Sequence, residues 1–172
     1  MNAYFFISFG VCFVCFALRT LFNVLFHKRS KFLQSKTIII IVNFTMFILW
    51  FSWFFMCFND PVKMNLPIWL RCFSLILFLI GISFFVLSHT RLKWFEDKGT
   101  LVTTGIYSRI RNPMYLGFIL WVIGFPLFMQ AFITLLSAII WVPCFICWKK
   151  LEEKELEKKY EGYKEYKDKT WF

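Results

Sequence analysis

The sequence is poor in charge. Only 17% of its 172 residues are Asp, Glu, Lys or Arg, and it contains two histidines. A soluble domain usually carries about 25% charged residues. Hydrophobic residues make up 59% of the chain and aromatic residues 23%. This composition predicts an integral membrane protein, in which any chemistry is built from membrane helices and their connections.

Acidic residues and metal ligands are also scarce. No predicted membrane span has Asp or Glu near its middle. Ion- or proton-driven transporters usually need such a residue, so this class of protein is disfavoured. Cys12 and Cys15, like Cys144 and Cys147, have CxxC spacing, but they lie in apolar stretches without neighbouring His or Asp. We expect these cysteines to pack between helices, and we predict no metal site.

Charge-free stretches locate the predicted spans, since about 20 apolar residues cross the hydrocarbon. Residues 37–58 are free of Asp, Glu, Lys, Arg and His, and residues 4–26 are interrupted only by Arg19. A third span is predicted at 72–88. Residues 112–148 are too long for one span and predict a helical hairpin that turns near 129–131. The expected fold is all-α: a polytopic membrane helical bundle of five transmembrane helices, with a tight C-terminal hairpin and a cytoplasmic tail helix.

The positive charges predict the orientation of the bundle. Seventeen of the 20 Lys and Arg residues fall in three segments, 27–36, 88–113 and 149–172, which five alternating spans place on one side. The positive-inside rule makes that side cytoplasmic. The net charge of +10 is then a topology signal, so we expect membrane lipids and no nucleic acid as partners. The sequence does not determine the oligomeric state.

The most polar loop precedes the fourth predicted span, in the stretch GIYSRIRNPMYLG. Asn112 is a suitable N-cap and Pro113 a suitable first helical residue, so a helix should begin here. Arg109 and Arg111 stand just before its positive end. That arrangement favours an anion such as a carboxylate or phosphate. The alternative is that both arginines bind lipid headgroups.

The tail from Trp148 predicts a helix that leaves the membrane, with a bend or break at Gly162. Glu152 and Glu153 follow the last span by about one turn. They should therefore lie at the same membrane depth as Arg111 and face one interfacial pocket with it.

Two motifs resemble a known family. The first is G-x-Y-x-x-x-R-x-P-x-Y-x-G, starting at Gly105, and the second is E-E-x-x-L followed by Y-x-G-Y-x-x-Y, starting at Glu152. Together they resemble the isoprenylcysteine carboxyl methyltransferase and phospholipid methyltransferase superfamily over about the last 75 residues. The resemblance implies that S-adenosyl-L-methionine binds on the cytoplasmic side and that a lipophilic acceptor enters from the membrane. One departure is Asn112, which replaces the usual histidine and cannot transfer a proton.

The resemblance implies a division of the chain and a set of site residues. Residues 1–98 would form membrane-anchoring and substrate-access helices, and residues 99–172 the cofactor-binding methyltransferase core. The expected catalytic residues are Arg111 and Glu153. The expected cofactor-binding residues are Gly105, Tyr107, Arg111, Asn112, Pro113, Tyr115, Gly117, Glu152, Glu153, Tyr160 and Tyr163.

The expected activity is methyl transfer to a lipophilic acceptor, with carboxyl O-methylation of an isoprenylcysteine-like substrate favoured. A carboxylate needs no base, whereas the ammonium of phosphatidylethanolamine must lose a proton first. The alternative enzymatic activity is N-methylation of a phospholipid. The alternative without enzymatic activity is a membrane scaffold. The expected location is a bacterial inner membrane or the endoplasmic reticulum, with the site facing the cytoplasm.

Overall fold

The computed structural model describes residues 2–27, 36–96 and 100–172. All regular secondary structure in these ranges is helical. The α-helices are α1 Ala3–His27, α2 Lys36–Asn59, α3 Ile68–Glu96, α4 Pro113–Phe128, α5 Phe132–Lys159 and α6 Tyr163–Lys169, and a 3₁₀ turn covers Gly105–Ser108. Lys28, Arg29, Lys31 and Lys98, on which part of the orientation argument depends, lie outside the described residues.

The predicted all-α membrane bundle is confirmed. Four helices, α1, α2, α3 and α5, are long and apolar enough to cross a membrane. The fourth predicted span is α4, which is apolar but has only 16 residues. At 1.5 Å per residue, α4 is about 24 Å long, against about 30 Å of hydrocarbon.

Helix ends follow the sequence closely in α1 and α2, but α3 is much longer than the predicted 72–88. It begins at Ile68 and continues to Glu96, because a helix can extend beyond the bilayer into a polar segment that a charge-free criterion excludes. Pro67 immediately precedes α3, and its carbonyl accepts hydrogen bonds from the backbone N–H groups of Leu70 and Arg71.

Aromatic side chains fill the centre of the bundle. Trp141 of α5 stacks on Phe16 of α1 with ring centroids 4.3 Å apart. Trp50 of α2 lies 5.0 Å from Phe118 of α4, measured between ring centroids. Large apolar side chains also cover the outside, and Ile139 is 74% exposed. Such an outer surface is expected of helices that face lipid.

Glycines bring α3 and α4 into close contact. A Cβ added to Gly117 would lie 2.7 Å from the carbonyl oxygen of Gly81, and one added to Gly124 would lie 2.9 Å from the carbonyl oxygen of Ser74. Neither distance is compatible with a side chain. Ser74 and Gly81, like Gly117 and Gly124, are seven residues apart, so each helix presents small residues along one face. Close approach at small residues is a common way for membrane helices to associate.

The predicted reversal at 129–131 is confirmed, since α4 ends at Phe128 and α5 begins at Phe132. Gln130 has a φ of 58°, in the left-handed region. The carboxylate of Asp60, which follows α2, caps the start of α5. Its Oδ2 accepts hydrogen bonds at 2.7 Å from both the backbone N–H and the hydroxyl of Thr134. Asp60 is only 4% exposed, so these bonds are shielded from water.

Replacing Asp60 with Ala should therefore destabilise the bundle. The change removes a charge from a helix N-terminus and leaves the buried Thr134 donors without their acceptor. We expect a cost of about 2–3 kcal/mol, or a melting temperature lowered by roughly 5–10 °C in detergent. Asp168→Ala is the matched control because Asp168 is exposed on α6. Equal melting temperatures for the two variants would show that Asp60 does not secure the hairpin.

Candidate functional site

A cavity of about 170 Å³ lies where α4 begins and α5 ends. We call this end of the molecule the basic end, because Arg109, Arg111, Lys149 and Lys150 lie there. The cavity is walled by the segment before α4, the first turn of α4, the last turns of α5, and α6. Its lining residues are Thr100, Leu101, Val102, Tyr107, Arg111, Asn112, Pro113, Met114, Tyr115, Glu152, Leu156, Lys159, Tyr160, Tyr163 and Tyr166.

The start of α4 forms one wall. As predicted, Asn112 occupies the N-cap position and Pro113 is the first helical residue. The side chain of Asn112 does not cap the helix; its amide donates to Glu153 Oε1 at 2.7 Å and to the backbone oxygen of Phe172 at 3.0 Å. A helix start carries backbone N–H groups without intrahelical partners and a partial positive charge. The wall is therefore suited to an anionic or hydrogen-bond-accepting group.

Arg111 and Glu153 form a buried ion pair behind this wall. Arg111 Nε lies 3.1 Å from Glu153 Oε1, and their side chains are 11% and 8% exposed. Lys149 Nζ lies 3.9 Å from the same oxygen. Glu153 Oε1 thus faces Arg111, Lys149 and the Asn112 amide. One carboxylate holds together the start of α4 and the end of the long helix α5.

The C-terminal segment, residues 167–172, folds back over Arg111. The Arg111 Nη1 group donates to the carbonyl of Lys167 at 2.8 Å and also to the carbonyl of Thr170. The backbone N–H of Arg111 donates to Trp171 O, and Trp171 N donates to Arg109 O, both at 3.1 Å. Arg111 lines the cavity, but its side chain donates hydrogen bonds to Glu153 and to the C-terminal segment. It therefore links the start of α4 to both of them.

Tyrosines form the aromatic side of the cavity. The Tyr166 hydroxyl donates to the backbone carbonyl of Tyr107 at 2.6 Å, which attaches α6 to the segment before α4. Burial raises the pKa of Tyr107 and the pKa of Tyr166 to about 12, and it also raises the pKa of Tyr163. The sign is the one expected for a group whose charged form is disfavoured by desolvation. These phenols therefore stay neutral at physiological pH and can act as hydrogen-bond donors.

Glu152 brings a carboxylate to the cavity itself. It is half-buried on α5, next to Glu153 in sequence, and its side chain interacts with that of Tyr115 on α4. Glu152 and Glu153 thus have different surroundings. Glu152 faces the cavity, whereas Glu153 is tied to Arg111.

Most of the residues predicted for the site are brought together by the fold. Those that line the cavity are Tyr107, Arg111, Asn112, Pro113, Tyr115, Glu152, Tyr160 and Tyr163. Three predicted residues are not among the lining residues. Gly105 has a φ of 66° and lies next to Arg91, Gly117 packs on α3, and Glu153 supports Arg111.

Seven lining residues were not predicted. Leu156 and Tyr166 belong to the second motif, so the sequence did contain a signal for them. The remaining five are Thr100, Leu101, Val102, Met114 and Lys159. Residues 100–102 lie in an irregular segment without a charge or motif, which only the three-dimensional fold brings to the cavity.

The fold and the cavity define a multi-pass membrane protein with a candidate small-molecule site at one end. A family model described as phospholipid methyltransferase matches residues 69–162, more than half of the chain. The chain belongs to the phospholipid methyltransferase family.

The chain is also similar to the protein-S-isoprenylcysteine O-methyltransferase of Saccharomyces cerevisiae. The two are 40% identical over 82 residues, which cover 44% of this chain and 32% of the yeast protein. The match thus spans about a third of the length of that curated relative. No solved structure matches this chain. The resemblance to the isoprenylcysteine and phospholipid methyltransferase superfamily is confirmed by the family model and the yeast relative.

Proposed function

We propose that this protein is an S-adenosyl-L-methionine-dependent methyltransferase that methylates a lipophilic acceptor at the cytoplasmic face of the membrane. The observation that carries the proposal is the cavity at the basic end, where the start of α4, the Glu152 carboxylate and several tyrosines face one space. Family membership and the similarity to the yeast enzyme support methyl transfer as the chemistry.

The lining residues fit the proposed cofactor. S-adenosyl-L-methionine carries a carboxylate, an ammonium, ribose hydroxyls and an adenine ring, and supplies an electrophilic methyl group from its sulfonium. The start of α4 would hold the carboxylate through backbone N–H groups. Glu152 would accept hydrogen bonds from the ribose or the ammonium, and the rings of Tyr160 and Tyr163 would pack against the adenine or the sulfonium.

The chain's part in the reaction is to orient and to exclude water. Methyl transfer is an in-line displacement, so most of the acceleration comes from aligning two groups in a dry cavity. Arg111 and Glu153 would act by fixing the start of α4 against α5 and the C-terminal segment. In this proposal their predicted catalytic roles become positioning roles.

We propose an isoprenylcysteine-like carboxylate as the methyl acceptor. A carboxylate oxygen is already a nucleophile and needs no base. Asn112 at the family's histidine position cannot accept a proton, and the Glu152 carboxylate that faces the cavity is assigned to the cofactor in this proposal. Phospholipid N-methylation is the second candidate, favoured by the description of the family model.

A labelled methyl donor tests this proposal. The protein in nanodiscs is given S-adenosyl-L-methionine with a labelled methyl group, together with either N-acetyl-S-farnesylcysteine or phosphatidylethanolamine. We expect base-labile label, as released from a methyl ester, on the farnesylcysteine. Label on the phospholipid nitrogen would establish the second candidate. No labelling of either acceptor, together with no saturable binding of the donor, would favour the scaffold alternative.

Glu152→Gln tests the cofactor site directly. The change keeps the size of the side chain but removes a charged acceptor that faces the cavity, and a hydrogen bond to a charged group is worth about 1.5–3 kcal/mol. We expect the dissociation constant of S-adenosyl-L-methionine to rise roughly 10- to 100-fold, measured by calorimetric titration. Glu161→Gln, at an exposed position before α6, should bind like the wild type. Equal affinity in both variants would remove Glu152 from the proposed site.

A further inference from the structure

Arg19 is a cationic residue inside a membrane helix, and it is not among the residues that line the cavity. It lies in α1, eight residues before the end of that helix at His27, and outside both motifs and the part of the chain matched by the family model. Its side chain is half-buried. Cationic side chains within spans are costly, and those that persist usually serve a function.

The hydrogen bonding of Arg19 is incomplete. Its Nε is buried and has no hydrogen-bond partner among the described residues. The ion pairs that join described residues involve Arg111, Lys149 and Lys167, not Arg19. A guanidinium has five N–H donors in a planar fork, suited to a carboxylate or phosphate. Arg19 therefore retains capacity to bind an anion.

The packing of α1 on α5 places Arg19 beside the cavity, on the membrane side. The adjacent residue, Thr20, accepts a hydrogen bond at 2.9 Å from Trp148 Nε1. Glu152 is four residues after Trp148 and so lies one turn further along the same face of α5. Arg19 interacts electrostatically with both Glu152 and Tyr115, two residues that line the cavity. Its charge is thus close to the side of the cavity that Glu152 and Tyr115 form.

We propose that Arg19 binds the anionic group of the lipophilic methyl acceptor and so selects acceptors that carry a negative charge next to the reacting atom. This inference rests on the proposed function. It adds that Arg19 is the residue that determines which class of acceptor the site takes. An acceptor that enters from the lipid with its polar end towards the cavity would present that end to Arg19. The anion is the carboxylate of a prenylcysteine or the phosphate of a phospholipid.

The competing role for Arg19 is structural: it could serve only as a counter-charge for Glu152. The two roles have different consequences. A counter-charge for Glu152 would alter binding of S-adenosyl-L-methionine, because Glu152 is a proposed cofactor ligand. A group that binds the acceptor would alter the KM of the acceptor and leave cofactor affinity unchanged.

The test compares Arg19→Gln, Arg19→Lys and Lys150→Gln in nanodiscs. Lys150 is exposed on α5 at the basic end, so its variant controls for the loss of one positive charge there. For Arg19→Gln we expect the KM of N-acetyl-S-farnesylcysteine to rise at least 10-fold, with kcat and the cofactor dissociation constant within twofold of wild type. Arg19→Lys should recover most of the affinity, and Lys150→Gln should match the wild type.

A second measurement does not depend on turnover. Equilibrium binding of N-acetyl-S-farnesylcysteine is compared with binding of its carboxamide, which has the same lipid tail and no charge. The wild type should prefer the carboxylate and Arg19→Gln should not. In the phospholipid arm, phosphatidylethanolamine and diacylglycerol replace this pair.

The two measurements separate failure of this inference from failure of the proposed function. Absence of methyl transfer and of saturable cofactor binding in the wild type would refute the proposed function, while the binding comparison would still decide the role of Arg19. An unchanged preference for the anion in Arg19→Gln, or a change in cofactor affinity alone, would overturn the role assigned to Arg19.

Discussion

Replacing Glu153 with Ala should abolish cofactor binding, with a dissociation constant raised at least 100-fold. The Glu153 carboxylate holds Arg111 Nε at 3.1 Å and the Asn112 amide at 2.7 Å. Its removal leaves a buried guanidinium without its counter-charge, at a cost of about 3–5 kcal/mol. We expect the start of α4 to shift and the cavity wall with it. Titration with S-adenosyl-L-methionine, together with a melting curve, measures both effects.

Glu157→Ala is the matched control for this prediction. Glu157 is one turn further along α5, and it pairs with Lys167 at 2.7 Å, but both side chains are substantially exposed. Exposed pairs contribute about 0–1 kcal/mol, so this variant should bind the cofactor nearly as the wild type does. If Glu153→Ala also binds normally, the ion pair with Arg111 does not organise the site.

Replacing Gly117 with Leu should cause a large loss of folded protein. Even the Cβ would lie 2.7 Å from the carbonyl oxygen of Gly81, and that atom belongs to the backbone of α3, so one helix must move away from the other. The contact between α3 and α4 would open along their shared face. We expect little monodisperse protein after extraction in mild detergent, measured by size-exclusion chromatography.

Gly10→Leu separates a packing effect from a general effect of adding a side chain. Gly10 is also a helical glycine, but an added Cβ there would meet nothing within 4 Å. This variant should express and elute like the wild type. A normal elution profile for Gly117→Leu would mean that α3 and α4 can separate without loss of the fold.

Local features of the sequence were sufficient to predict much of the fold. A charge-free stretch too long for one span required a reversal, and the turn lies at 129–131 as expected. Gly162 lies between α5 and α6, where a break was predicted. Pro113 begins α4 because its fixed φ and missing N–H suit the first helical position. These features depend on residues that are neighbours in the sequence, so they can be recognised without knowledge of tertiary contacts.

Contacts between distant segments were harder to predict. The sequence placed Arg111 and Glu153 at one depth but gave no indication that the C-terminal segment would fold over Arg111. Asn112 was expected to cap α4 with its side chain, which instead bonds to Glu153 and Phe172. Gly117 was expected to admit a cofactor, but the group that approaches it most closely is the backbone of α3. In each case a tertiary partner decides the role, and periodicity and spacing do not identify that partner.

The short length of α4 has a consequence for how a lipophilic acceptor reaches the cavity. With its turn at one boundary of the hydrocarbon, a helix of 16 residues ends about 6 Å before the other boundary. The first turn of α4, and the cavity against it, would then be recessed below the headgroups. A tailed molecule could present its head by lateral diffusion and keep its chain among the acyl tails. Since each methylene withdrawn into water costs about 0.8 kcal/mol, recession of the site would spare the reaction a large extraction penalty.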